Sequence, residues 1–212
     1  MLGRFSDADE RLARLFQATD AEPVHQGIPH WYAVELAWLR DDALAATRHA
    51  SQITHFATRA AIPYWSVVAR FCQGLADSIA GDFMEADGFL AQALDASRRG
   101  RAGLELEARM LAFQADNLMR AGDAPRAGEV AAEAIAVARR KADRLSECHA
   151  SLVAAWAALT LSGSRRADEA SALLNRANTL IDETGAKAYE PMMLRARAHA
   201  SGEKSVAPPR RS

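Results

Sequence analysis

The sequence predicts an all-α solenoid of about four stacked helix pairs, with capping helices at both ends. Three observations carry that prediction. Alanine supplies 48 of the 212 residues, against 12 glycines and 7 prolines. It has the best helix propensity, and its small side chain lets helix axes approach closely. Strand-favouring residues never alternate with polar ones over a convincing stretch. The third observation is self-similarity. Arg40-Asp41-Asp42-Ala43-Leu44-Ala45-Ala46, Ala80-Gly81-Asp82-Phe83-Met84-Glu85-Ala86, Ala121-Gly122-Asp123-Ala124-Pro125-Arg126-Ala127 and Ser164-Arg165-Arg166-Ala167-Asp168-Glu169-Ala170 align on their last alanine, at a period of 40–43 residues.

The chain opens with an amphipathic segment from Asp7 to Ala18, whose Leu12, Leu15 and Phe16 share one side. Asp20 to Pro29 contains Pro23, Gly27 and Pro29 and reads as a loop. First helices are expected at about 29–40, 63–80, 103–121, 144–162 and 187–200, the last one closing the stack. Second helices are expected at about 42–58, 82–98, 123–140 and 166–183. After each aligned alanine, apolar residues recur four and seven positions on: Ala50 and Ile53, Leu90 and Ala93, Ala131 and Ala134, Leu174 and Ala177. That spacing keeps one helix face apolar. In three of the four segments an aspartate stands where the second helix starts, suited to capping its free amides. Residues 1–200 thus form one domain, with repeats at 29–60, 61–100, 101–142 and 143–185, and residues 201–212 read as a disordered tail.

Composition narrows the function classes. Half the residues are hydrophobic and a quarter charged, with 26 basic against 27 acidic and a net charge of -1. That balance argues against a generally basic nucleic-acid binder. No apolar run approaches the roughly 20 residues of a membrane span, and the N-terminus meets a charge too early for a signal peptide. Two cysteines, Cys72 and Cys148, do not make a disulfide framework. A cytoplasmic protein is expected.

The repeats resemble the tetratricopeptide repeat. Its pattern wants a small residue in the first helix, Gly or Asn at the turn, then Ala, a large apolar residue and Ala in the second helix. Gly74, Gly81, Ala86, Leu90 and Ala93 match it best, followed by Ala115, Gly122, Ala127, Ala131 and Ala134. The resemblance implies a right-handed stack whose first helices line a concave surface. A narrower likeness rests on Ala61-Ile62-Pro63-Tyr64-Trp65, Gly81-Asp82 with Glu85-Ala86, Ala121-Gly122-Asp123, and Glu183-Thr184-Gly185 with Tyr189-Glu190. These stretches are similar to the C-terminal repeat regions of bacterial class III adenylate cyclases and large LuxR-type ATP-binding regulators. No cyclase or ATPase activity carries over, because no Walker A loop or other phosphate-cradling glycine motif occurs.

No catalytic set is expected. Among His25, His30, His49, His55, His149 and His199, the gaps within the first two pairs are five and six. Helical metal ligands need a gap of four. The two cysteines read as small apolar core residues. Arg98-Arg99-Gly100-Arg101 and Arg139-Arg140-Lys141 close second helices, where cations complement the dipole. No metal, cofactor or nucleic acid is therefore expected.

The tetratricopeptide likeness implies that Ile28, Trp31, Glu35 and Trp38, then Val68, Phe71, Leu75 and Ser78, then Arg109, Ala112, Asp116 and Met119 face the concave groove. Trp31, Glu35, Trp38, Phe71, Arg109 and Asp116 are the candidate partner-binding residues, since interface energy concentrates in aromatic and arginine anchors. Packing of Trp31 and Trp38 against the N-terminal helix is the other reading. The expected function is non-catalytic: a scaffold or regulatory module gripping a protein or peptide segment. The alternative is a detached repeat segment sensing a small effector.

Overall fold

The structure, a computed structural model, describes residues 5–19, 25–161 and 164–200. Among these residues it is all-helical, with ten α-helices and no strand. In order they are α1 (Phe5–Thr19), α2 (Gly27–Arg40), α3 (Ala43–Ala60), α4 (Pro63–Ala80), α5 (Phe83–Gly100), α6 (Glu107–Arg120), α7 (Ala124–Lys141), α8 (Arg144–Thr160), α9 (Ser164–Thr184) and α10 (Glu190–Ala200). Each helix packs on its sequence neighbour. Contacts also join α2 to α4, α4 to α6, α6 to α8 and α8 to α10.

Aspartates make the turns tight by serving two helices at once. The N–H groups of Asp42, Asp82, Asp123 and Asp143 each donate to the carbonyl five residues back, closing the preceding helix. The side chains of Asp42, Asp123 and Asp143 then accept from the backbone N–H three residues on, opening the next helix. Asp82 does only the backbone half. The residue just before each aspartate is left-handed: Gly81 and Gly122 without penalty, Asp41 and Ala142 at φ 56° and 55°.

Helix boundaries depart from expectation where short turns intervene. A 3-10 turn over Leu104–Leu106, after left-handed Gly103, delays α6 to Glu107, and another over Lys187–Tyr189 delays α10 to Glu190. Gly27 and Pro29 stand in the first turn of α2 instead of in a loop. Proline is tolerated there because its missing N–H would lack a partner anyway. Gly27 is needed for closeness, since a Cβ would sit 2.7 Å from the Phe56 ring. The segment 201–212, expected to be disordered, lies outside the described residues.

Small residues set the distance between paired helices. Ala86, Ala127 and Ala131 are fully buried. At Gly74 a Cβ would lie 2.7 Å from Leu90 Cγ and 3.2 Å from the Ala86 carbonyl, so α4 and α5 nearly touch. A ladder of ion pairs ties successive helices. Glu107 receives Arg98 at 2.9 Å and Lys141 at 2.8 Å, while Glu147, forty residues on, receives Arg139 and Arg176, both at 2.9 Å. The basic runs at the ends of α5 and α7 thus bind specific carboxylates in addition to complementing helix dipoles.

Candidate inner polar pocket

Helical spacing places Trp31, Glu35 and Trp38 on one face of α2, and Arg109, Phe113 and Asp116 on one face of α6. The chain curls enough to bring these faces together. Arg109 Nη1 donates to Glu35 Oε1 at 3.0 Å and lies 3.3 Å from Oε2, and Trp31 Nε1 donates to the same carboxylate at 2.8 Å. The Arg109 guanidinium also lies over the Trp31 ring, 5.9 Å from its centroid. Below this group, Trp38 meets Phe113 edge-on at 4.8 Å and His149 at 5.1 Å. Tyr189, from the turn before α10, stacks on His149 at 5.5 Å.

These residues enclose a cavity of about 90 Å³, bounded by Glu35, Trp38, Leu39, Arg109, Phe113, Leu145, Ser146, His149 and Tyr189. Its electrostatics follow from burial. Desolvation raises the Glu35 carboxyl above its usual range, opposed by Arg109 and by the Trp31 hydrogen bond. His149 is 1% exposed. Burial lowers its pKa to about 4, against the partial pull of Asp116, so the ring is neutral at physiological pH. Its Nε2 is buried without a hydrogen-bond partner, an arrangement native interiors avoid. Burial, and Glu35 next, push the Tyr189 phenol well up, so it stays a hydroxyl.

The six candidate residues separate here. Glu35, Trp38 and Arg109 line the cavity, with Trp31 beside them. Phe71 is 0% exposed and lies behind Phe113 at 5.4 Å. Asp116 is turned into an ion pair with Arg120 at 2.8 Å, and Arg120 caps the Trp38 ring at 5.6 Å. Trp31 and Trp38 are each 7% exposed. An open groove with free aromatic anchors is therefore not what these three aromatic side chains form, because α6 and α8 close over them. From α1, Phe16 meets His30 edge-on at 5.0 Å and Asp9 pairs with Arg40 at 2.8 Å.

Phe113, His149 and Tyr189 were not among the expected groove residues. A signal for two of them existed, since Arg109, His149 and Tyr189 are spaced forty and forty residues apart. The histidine spacing hid another meeting. His30 and His49 belong to different helices, and their Nδ1 atoms lie 2.9 Å apart. Among the described residues no group of three or more His, Cys, Asp and Glu is placed to hold a metal ion. Cys72 and Cys148 are buried and unpaired, and burial pushes the Cys148 thiol up to about 12, far from a reactive thiolate.

No protein-family model matches this chain, and no curated protein matches it either. Among the described residues no helix is long and apolar enough to cross a membrane.

Proposed function

We propose that this chain is a non-catalytic regulatory binding module, a right-handed solenoid of tetratricopeptide-like helix pairs whose inner pocket takes a small polar effector. The recurring aspartate turns, the forty-residue ion-pair ladder and the contacts between alternate helices support the repeat reading. The kinship with cyclase and LuxR-type repeat regions rests on the residues quoted for it. A cytoplasmic setting belongs to the same proposal, in keeping with two unpaired thiols.

One observation carries the effector reading: the orphaned Nε2 of neutral His149 beside a cavity that also holds the Arg109–Glu35 pair and the Tyr189 hydroxyl. A buried polar atom without a partner is a cost that a ligand hydrogen bond would remove. Aromatic walls with a few convergent polar groups are the usual make-up of small-molecule sites. The space, several water volumes at about 90 Å³, suits a short polar molecule or headgroup. A continuous peptide along this face would need Trp31, Trp38 and Phe71 uncovered, so a partner segment in the groove is the weaker form of the reading.

Calorimetric titration with short carboxylates, amides and hydroxy acids tests the proposal. Binding is expected for at least one class, and His149→Leu and Arg109→Ala should each weaken it about tenfold, roughly 1.4 kcal/mol. Affinity unchanged in both variants would reject the pocket.

A further inference from the structure

We propose a second site, independent of the inner pocket: the open groove along the α4–α5 and α6–α7 turns docks a basic, amphipathic segment of a partner protein. The groove has a volume of about 520 Å³ and is bounded by Asp82, Met84, Glu85, Asp87, Asn117 and Asp123. Its charge is one-sided. Arg126 is the cation on its wall, and it is already engaged by Asp87 at 3.3 Å and Asp123 at 3.7 Å. Asp82 and Glu85 have no cationic partner among the described residues, and their repulsion adds to burial in raising the nearby Asp77 carboxyl.

A second observation separates this groove from an ordinary solvated face. Asn117 is 0% exposed. Its Nδ2 donates to the Phe83 carbonyl at 2.9 Å, while its Oδ1 accepts nothing. Asn117 is one of the residues bounding the groove, and its oxygen is a buried acceptor with no donor. A lysine ammonium or arginine guanidinium supplies donors and no acceptors, and here it would satisfy Asn117 while neutralising Asp82 and Glu85.

The apolar element identifies the source of the cation. Met84 stands 81% exposed between these carboxylates. Leu44, also two residues past a turn aspartate, is 83% exposed at the matching place on α3. Methionine adapts its shape to a partner's apolar side chains. A free polyamine would leave Met84 uncovered, whereas a segment alternating basic and aliphatic residues covers both features. Electrostatic complementarity of this kind sets register and association rate.

Fluorescence anisotropy with the full chain, at about 0.15 M salt, tests the proposal. The probe is a labelled twelve-residue peptide of alternating lysine and leucine pairs. Saturable binding is expected, with the affinity falling about tenfold in the Asp82→Asn/Glu85→Gln double variant and about threefold in Met84→Ser. All three positions are exposed, so melting temperatures should stay at the wild-type value and report that the fold is intact. A peptide with glutamate in place of lysine should not bind. Absence of saturable binding would overturn the proposal, as would equal affinity for wild type and both variants. Spermine displacing the peptide at equal concentration, with Met84→Ser silent, would also overturn it and make the groove a polyamine site.

Discussion

Arg109 and Glu35 are separated by 74 residues of chain, yet the guanidinium and carboxylate are joined at 3.0 Å. The pair bolts α6 to α2, with Trp31 donating to the same carboxylate. Removing the cation would leave a carboxyl whose burial already disfavours its charge. The side chains keep 25% and 20% of their exposure, which tempers the cost. Arg109→Ala should destabilise by about 1–2 kcal/mol. In a urea-denaturation cycle with Glu35→Gln, the double variant should lose less than the two single losses added together. Strict additivity would mean the two groups are not coupled.

Acid should loosen this molecule, because the unfolded chain protonates His149 more readily than the folded one does. The His149 pKa falls from 6.5 to about 4 on folding, so below the unfolded value the unfolded chain takes up the proton first. Stability is then complete above about pH 6.5 and drains away as pH falls toward 4. The loss amounts to about 2–3 kcal/mol by about pH 4.5. His49, lowered to about 4 by burial and then by His30, acts in the same direction. Glu35 opposes them, since its raised carboxyl favours the folded state on protonation. His149→Leu should flatten the profile between about pH 6.5 and 4.5, and an unchanged slope would show that the ring is not buried neutral.

Close helix contact should be intolerant of added volume. A Cβ at Gly74 would press on Leu90 Cγ at 2.7 Å and on the Ala86 carbonyl at 3.2 Å, of which only the leucine can swing away. Gly74→Ala, Ala86→Leu and Ala127→Leu should each cost about 1–3 kcal/mol through overpacking. Thermal melts at equal concentration check this, and wild-type melting for all three would break the assignment of these positions to helix contacts.

The aligned alanines and turn aspartates made the helix pairs legible in the sequence, because turn chemistry and small contact residues act over a few positions. The curl was not legible. It depends on Trp38 of α2 meeting Phe113 of α6 and His149 of α8, and a pattern of groove positions says nothing about whether the groove stays open. Periods of 40–43 residues gave room for 3-10 turns at Leu104 and Lys187. The first turn shortly precedes Arg109 and the second contains Tyr189, two residues of a site that the aligned alanines alone do not specify. Glu35, Trp38 and Arg109 could be named in advance because charge and aromatic bulk on a first-helix face are visible in one dimension. His149 has no histidine at a ligand spacing beside it in the sequence, and its role depends on partners from three other elements.

Glu147 and Glu107 occupy equivalent rungs of the ion-pair ladder, but their surroundings differ. Glu147 keeps 5% side-chain exposure, and Arg139 donates to one oxygen while Arg176 bonds both, at 2.9 and 3.0 Å. Glu107 keeps 16% and is held by Arg98 and Lys141. The Arg176 and Arg139 bonds outweigh burial and hold the Glu147 carboxyl below its ordinary range, so its stabilisation is present above about pH 4.5 and lost as pH falls below that. Glu147→Gln keeps the shape but takes the negative charge from the acceptor of three hydrogen bonds, and about 1–3 kcal/mol is expected. Glu107→Gln should cost less, because the Glu107 carboxylate is itself more exposed than that of Glu147 and solvent screens its pairs more. Equilibrium urea denaturation at about pH 7 ranks the two variants, and a larger loss for Glu107→Gln would show that burial does not govern the strength of the rungs.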